Sequence, residues 1–203
     1  MAIVRGALIA IEGIDGAGNT TQAKLLVRWL RRKGVKALLT KEPTRGDVGK
    51  LIRRRLREGR LNALIDALLF AADRAEHVVN VILPKVEQGF IVITDRYVES
   101  SIAYQGAEGA DIAWLEVVNS FAPQPDLVVV LDVQPNQALA RKGGPREGFE
   151  QEEFLEKVRS ILKARAEKKG YLIVDASRPV IEVHKEIRRA VRKLIKNRLQ
   201  LGH

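Results

Sequence analysis

The chain contains no cysteine. Disulfides, thiolate metal sites and cysteine nucleophiles are therefore excluded. Aromatic side chains make up only 5% of residues, and there is a single methionine. No apolar run reaches the ~18 residues that a membrane span needs. The stretch from Met1 to Ile11 is too short, and too soon interrupted by Glu12, to be a secretory signal. These absences lead us to expect a soluble, cytoplasmic protein with no membrane partner. Scarce cysteine and methionine beside abundant Arg, Lys and Glu also fit a heat-adapted chain. A melting midpoint of about 50 °C would count against that.

What is present is an ordinary globular balance, 46% apolar and 30% charged residues. A length of 203 residues suits one domain, taken as 1–203, with a substantial core. Lys and Arg number 35 against 25 Asp and Glu, a formal charge of +10. That charge suits anionic ligands. The few aromatics do not alternate with basic residues, and no recognisable nucleic-acid motif occurs, so no nucleic-acid partner is expected. The cations of segment 179–198 read as the solvated face of a basic C-terminal helix.

Five short runs rich in Val, Ile and Leu read as buried strands: Ala7–Ile11, Val35–Thr40, Phe90–Thr94, Leu127–Val133 and Tyr171–Val174. None alternates cleanly, as expected of parallel strands covered on both faces. Helical patterns lie between them. Three end in cations or amides followed by glycine: Arg32-Lys33-Gly34, Glu87-Gln88-Gly89 and Lys168-Lys169-Gly170. Pro135 and Pro179 stand where helices would begin. Strands alternating with helices predict an α/β fold around a central parallel sheet.

The first strand leads into Glu12-Gly13-Ile14-Asp15-Gly16-Ala17-Gly18-Asn19-Thr20-Thr21. Gly13 and Gly18 have the spacing of a phosphate-binding loop, G-x-x-x-x-G-K-[ST], and Thr20 holds the hydroxyl position that binds magnesium. Glycines let backbone N–H groups turn inward around phosphates, and the following helix presents its positive end. The expected nucleotide-binding set is Gly13, Asp15, Gly16, Ala17, Gly18, Asn19, Thr20 and Thr21. Asn19 departs from the pattern, offering a neutral amide where a lysine charge belongs. Losing one preorganised donor typically costs about 10²–10³ in rate. Three readings stay open: an arginine elsewhere supplies the charge, the substitution is an introduced one that leaves nucleotides unreacted, or the chain binds nucleotide without catalysis.

With Asp15-Gly16 inside this loop and the motifs further along, the chain resembles the thymidylate kinases over about residues 6–195. The resemblance implies a P-loop kinase fold, a five-stranded parallel sheet surrounded by helices with a short lid at about 141–150, working as a homodimer. It implies transfer of the γ-phosphate of ATP to dTMP, giving dTDP and ADP, with Mg2+ required. Glu42-Pro43, with Arg45 just after, resembles the family's Glu-Pro pair near the acceptor. Phe70-Ala71-Ala72-Asp73-Arg74-Ala75-Glu76-His77 is the most specific run. Phe70 and Arg74 share a helix face, so a ring can stack on the thymine while a guanidinium donates to its carbonyl. His77 reads as structural.

Asp95-Arg96-Tyr97 closes a strand, where ligands of open α/β sheets sit. The resemblance gives magnesium to Thr20 and Asp95, and the acceptor phosphate to Arg96. Ser101, Tyr104 and Gln105 match acceptor-site positions, Tyr104 crowding the sugar 2′ carbon. Asp15 would orient the acceptor and join Arg96 among the catalytic groups. Lid arginines complete the set, with Arg141 and Arg146 as candidates, because an arginine over the moving phosphoryl is worth roughly 10³–10⁵. Asp132 reads as structural.

Overall fold

In a computed structural model, residues 6–59, 62–143 and 148–200 are described. The element order is β1 (Ala7–Gly13), α1 (Asn19–Arg32), β2 (Ala37–Lys41), α2 (Asp47–Arg57), α3 (Ala63–His77), a π-helical turn (Val78–Ile82), α4 (Leu83–Glu87), β3 (Ile91–Asp95), α5 (Val98–Ala107), α6 (Ile112–Val118), β4 (Leu127–Asp132), α7 (Pro135–Arg141), α8 (Gly148–Lys169), β5 (Leu172–Asp175) and α9 (Val180–Gln200). All strand pairs are parallel, in the order β2-β3-β1-β4-β5. This is the α/β fold that the sequence predicts.

Every residue of β1 and β3 is buried, so both faces of the sheet centre are covered. That explains their unbroken Ile/Val runs. Ile9, Ile11, Ile93, Val129 and Val174 are sealed from solvent. Leu26 and Leu30 of α1 and Val183, Ile187 and Val191 of α9 join the same core.

Strand boundaries move by one or two residues, for local reasons. β2 begins at Ala37 rather than Val35, because the Val35 N–H is still donating to the Leu30 carbonyl at the end of α1. The glycines at the three helix ends, Gly34, Gly89 and Gly170, all take positive φ. Pro135 opens α7. No helix among the described residues is long and apolar enough to cross a membrane.

Sheet register gathers the polar groups at one edge. Asp95 of β3 lies opposite both Ile11 of β1 and Lys41 of β2. The carboxyl ends of three strands thereby bring the phosphate loop, Asp95 and Lys41 together.

Candidate active site

The loop between β1 and α1 lines a cavity of about 690 Å³ shared with Lys41, Asp95, Arg96, Arg141, Lys142 and the turn from Ala176 to Pro179. Gly16 and Gly18 take φ of +84° and +105°. A Cβ on Gly16 would sit 2.2 Å from the Ala138 carbonyl oxygen of α7. A bare backbone is thus required where the loop meets the helix leading to residues 142–150.

Asn19 is the first residue of α1 and is buried. Its Nδ2 donates to the Gly13 carbonyl at 3.0 Å, and its buried Oδ1 has no hydrogen-bond partner. The amide is therefore turned into the base of the loop. Thr20 Oγ1 donates to Asp95 Oδ2 at 2.5 Å. A hydroxyl and a carboxylate oxygen side by side are hard ligands suited to Mg2+, which keeps several waters and leans on substrate phosphates. The described residues contain no cluster of three or more His, Cys, Asp or Glu that could hold a metal without such help.

Next to the loop stands Arg96, the residue after β3. Its φ of 73° is the one positive value among the described non-glycine residues. Such backbone strain costs of order 1–3 kcal/mol and persists only where surroundings enforce it. The enforcement is visible. Nη1 donates to the Gly13 carbonyl at 3.0 Å and to Ser100 Oγ at 3.1 Å, and Nη2 to Asp15 Oδ1 at 2.5 Å. The guanidinium also lies 5.1 Å from the Tyr104 ring centre. Burial opposes its charge, but Tyr104, Asp15, Glu12 and Asp95 more than compensate and hold it protonated.

Asp15 is half exposed and takes a second cation, Lys142 Nζ, at 2.9 Å. Partial burial would raise its carboxyl, yet Arg96 and Lys142 outweigh that and keep it below the usual carboxylate range. The Asp15 N–H donates to the Tyr104 hydroxyl at 2.9 Å. Burial pushes that hydroxyl up to about 12, so it remains neutral.

Beneath Arg96 lies Glu12, fully buried, accepting a short hydrogen bond from Ser100 Oγ. Desolvation raises its pKa to about 7 despite the opposing Ser100 bond.

The α3 run Phe70–His77 reaches back to the loop after β2. Asp73 accepts from the Thr44 N–H at 2.8 Å and Thr44 Oγ1 at 2.5 Å. His77 lies between Glu42 Oε1 at 3.0 Å and Thr40 Oγ1 at 2.6 Å, the structural placement expected of it. Arg74 has no exposed surface. Its Nη2 donates to Glu42 Oε2 at 2.6 Å, Ser101 Oγ at 2.8 Å and the Tyr97 carbonyl at 3.0 Å, and its Nη1 bonds the Asn119 amide oxygen. Only Nε lacks a protein partner. Arg74 thus gathers Glu42, Ser101 and α5 into one frame. Gln105 is buried with an unpartnered Oε1, Phe70 and Pro43 are half-buried, and Arg45 is exposed.

Arg141 ends α7 and donates from Nη2 to the Ala176 carbonyl at 2.8 Å, beside the turn after β5. Arg146 lies outside the described residues. Asp132 pairs with Arg159 at 2.6 Å, a structural tie. The residues that sequence reasoning missed are Lys41, Lys142, Glu12, Ser100 and Asp73. Lys41 and Lys142 adjoin Glu42 and Arg141 in sequence, which was their only local signal.

A phosphate loop, a hydroxyl–carboxylate pair at a strand end, and an arginine forced into left-handed backbone beside them have the chemistry that phosphoryl transfer uses. The family model for thymidylate kinase matches residues 11–187. The chain belongs to the thymidylate kinase family. A probable thymidylate kinase of Pyrobaculum aerophilum is 44% identical over 193 residues, covering 94% of this chain and 98% of the relative. One of Pyrobaculum calidifontis is 48% identical over 182 residues, 88% and 92% of the two chains. One of Pyrococcus horikoshii is 46% identical over 194 residues, 91% and 95%. Membership in the thymidylate kinases makes the chain an ATP-dependent kinase acting on dTMP.

Proposed function

We propose that dTMP phosphorylation runs here across the edge where β1, β2 and β3 end, with the whole chain acting as one kinase domain. The observation that carries the reading is Arg96, strained at φ 73° and aimed between the Gly13 carbonyl and Asp15. ATP occupies the cavity over loop 13–21, its adenine end toward Arg141 and the Ala176 turn. Thr20 and Asp95 would hold Mg2+, which when bound would offset charge on the β- and γ-phosphates. Arg96 grips the acceptor phosphate, aided by Arg45 from the far side. Asp15 and Tyr104 form the wall against the acceptor sugar. Phe70, Pro43, Ser101 and Gln105 bound the base, and Arg74 acts on it from behind by holding Glu42 and Ser101 in place.

An acceptor phosphate oxygen is already anionic near neutral pH, so no strong general base is required. Positioning and charge carry the reaction. Arg141, at the end of α7, lines the donor cavity, and the rest of the lid expected at about 141–150, Arg146 included, lies largely outside the described residues. Thymine differs from uracil by one methyl, worth at most about 10–200-fold. Turnover of dUMP is therefore expected, but less efficient than that of dTMP. Equal efficiency would sink the thymine pocket.

We also infer a cytoplasmic homodimer. Leu64, Leu68, Val79 and Leu83 form an exposed apolar stripe from α3 through the π turn to α4. Leu68→Asp should shift the mass seen by light scattering from dimer to monomer.

The deciding experiment is ADP release from ATP, Mg2+ and dTMP by this chain and by Asn19→Lys. Activity in both supports the reading. Activity in Asn19→Lys alone makes this chain a weakened form with the assigned substrate. Activity in neither overturns the assignment.

A further inference from the structure

The donor cavity is lined by five cations: Lys41, Arg96, Arg141, Lys142 and Arg178. Four of them are already committed by hydrogen bonds. Arg96 is held by Gly13 O at 3.0 Å, Arg141 by Ala176 O at 2.8 Å, Lys142 by Asp15 at 2.9 Å, and Arg178 by Asp175 O at 3.1 Å. Lys41 differs. Its one charged partner among the described residues is Asp95 at 3.9 Å, beyond hydrogen-bond length, and its side chain is 57% exposed.

Its position is fixed by the sheet. Lys41 is the last residue of β2 and the register partner of Asp95. Register partners on neighbouring strands project to the same side. The ammonium therefore reaches the carboxylate that bonds Thr20. Lys41, Thr20 and Asp95 also line a second cavity, of about 1100 Å³. Lys24 lines the second cavity but not the first. Meanwhile Asn19 is neutral, buried and bonded to the Gly13 carbonyl. The loop lacks its expected charge, and an ammonium without a hydrogen-bonded partner among the described residues lines the same cavity.

We propose that Lys41 supplies to the ATP β- and γ-phosphates the positive charge that Asn19 does not, making Lys41 a catalytic residue of the transfer. The proposal rests on the kinase reading above. In the step, the bond between the γ-phosphorus and the β–γ bridging oxygen breaks, and ADP keeps the electron pair. A bond forms from the acceptor phosphate oxygen to the same phosphorus. Lys41 exchanges no proton in the step. A flexible four-carbon stem lets its point charge follow the moving phosphoryl.

The test is a double-mutant cycle in the full chain with Asn19→Lys, Lys41→Met and their combination, with Lys41→Arg alongside. Steady-state kcat and KM are measured with ATP, Mg2+ and dTMP. Calorimetry gives affinities for ADP and for a non-hydrolysable ATP analogue. In the native background Lys41→Met is expected to lower kcat by about 10²–10³, the loss typical of one preorganised donor, while KM for dTMP stays within about twofold and Lys41→Arg retains most activity. Analogue binding should weaken about tenfold more than ADP binding, because the γ-phosphate is the group gripped. In the Asn19→Lys background the same Lys41→Met change should cost less than about tenfold, since the restored lysine covers for it. Native-like kcat in Lys41→Met, or an equal loss in both backgrounds, would overturn the proposal. If neither the native chain nor Asn19→Lys phosphorylates dTMP, the kinase reading falls. Binding still decides the role of Lys41, and equal weakening for ADP and analogue overturns it.

Discussion

Two arginines, Arg74 and Arg96, are each surrounded by oxygen, and they are built in opposite ways. Arg74 stands inside helix α3 with ordinary backbone and no exposed surface, its terminal nitrogens spent on Glu42, Ser101, Asn119 and the Tyr97 carbonyl. Arg96 stands just past a strand, at φ 73°, beside a carboxylate that is 48% exposed. A polar cluster satisfied from within offers little to a ligand, so it acts as scaffold. A cluster that keeps a strained backbone and an open partner is held ready for something that arrives. Glu12 feels both guanidiniums, and it joins the two regions.

That contrast can be broken most directly at Arg96. Arg96→Met should lower kcat by about 10³–10⁵, while the melting curve moves little because loss of the guanidinium's bonds lets the strained backbone relax. A large melting shift with modest kinetic loss would reverse the assignment of roles. Arg74→Met should do the opposite first. It leaves the Glu42 carboxylate buried without its cation, and removal of one partner of a buried pair costs about 3–5 kcal/mol. Urea denaturation measures this, and adding Glu42→Gln should recover part of it.

Glu12 sharpens the comparison through pH. Its folded pKa, about 7, lies above the ordinary 4.5. The protonated form is therefore favoured by folding. The contribution is full below about pH 4.5 and fades as pH rises through about 7. Glu12→Gln, neutral and nearly isosteric, should flatten this part of the stability curve, seen as a gain over the native chain in denaturant midpoint at about pH 8 but not at about pH 4. The smallest effect is expected at Lys142→Ala. Lys142 and Asp15 are about half exposed, and such pairs contribute about 0–1 kcal/mol. A larger loss would mean that Lys142, too, belongs to the frame.

The strands were legible because each is a local run of β-branched and aliphatic residues, bounded by glycine in four cases and by proline on both sides of β4. The phosphate loop was legible because Gly13, Gly18 and Thr20 are tied by spacing along one segment. The Phe70–His77 run was legible as a helix contributing to the site, but the division of labour within it was not. Sequence reading placed Arg74 against the thymine base. The fold also commits it to Glu42 and Ser101, residues 32 and 27 positions away. Asp73 passed unremarked because its partner, Thr44, lies 29 residues earlier.

By itself the sequence determined the alternation of strands and helices, the phosphate loop, the missing lysine charge at Asn19 and the strand-end Asp95-Arg96 pair. Each is written in neighbours along the chain, where backbone sterics and periodicity act over a few residues. Only the tertiary structure decided which way Asn19 turns, which cations in the cavity are already engaged, and that Lys41 stands next to Asp95. Those facts depend on the pairing of β2 with β3, which aligns residues 54 positions apart in the chain, from 41 to 95. Short-range rules specify a strand, but sheet register is chosen by the burial of all five strands together.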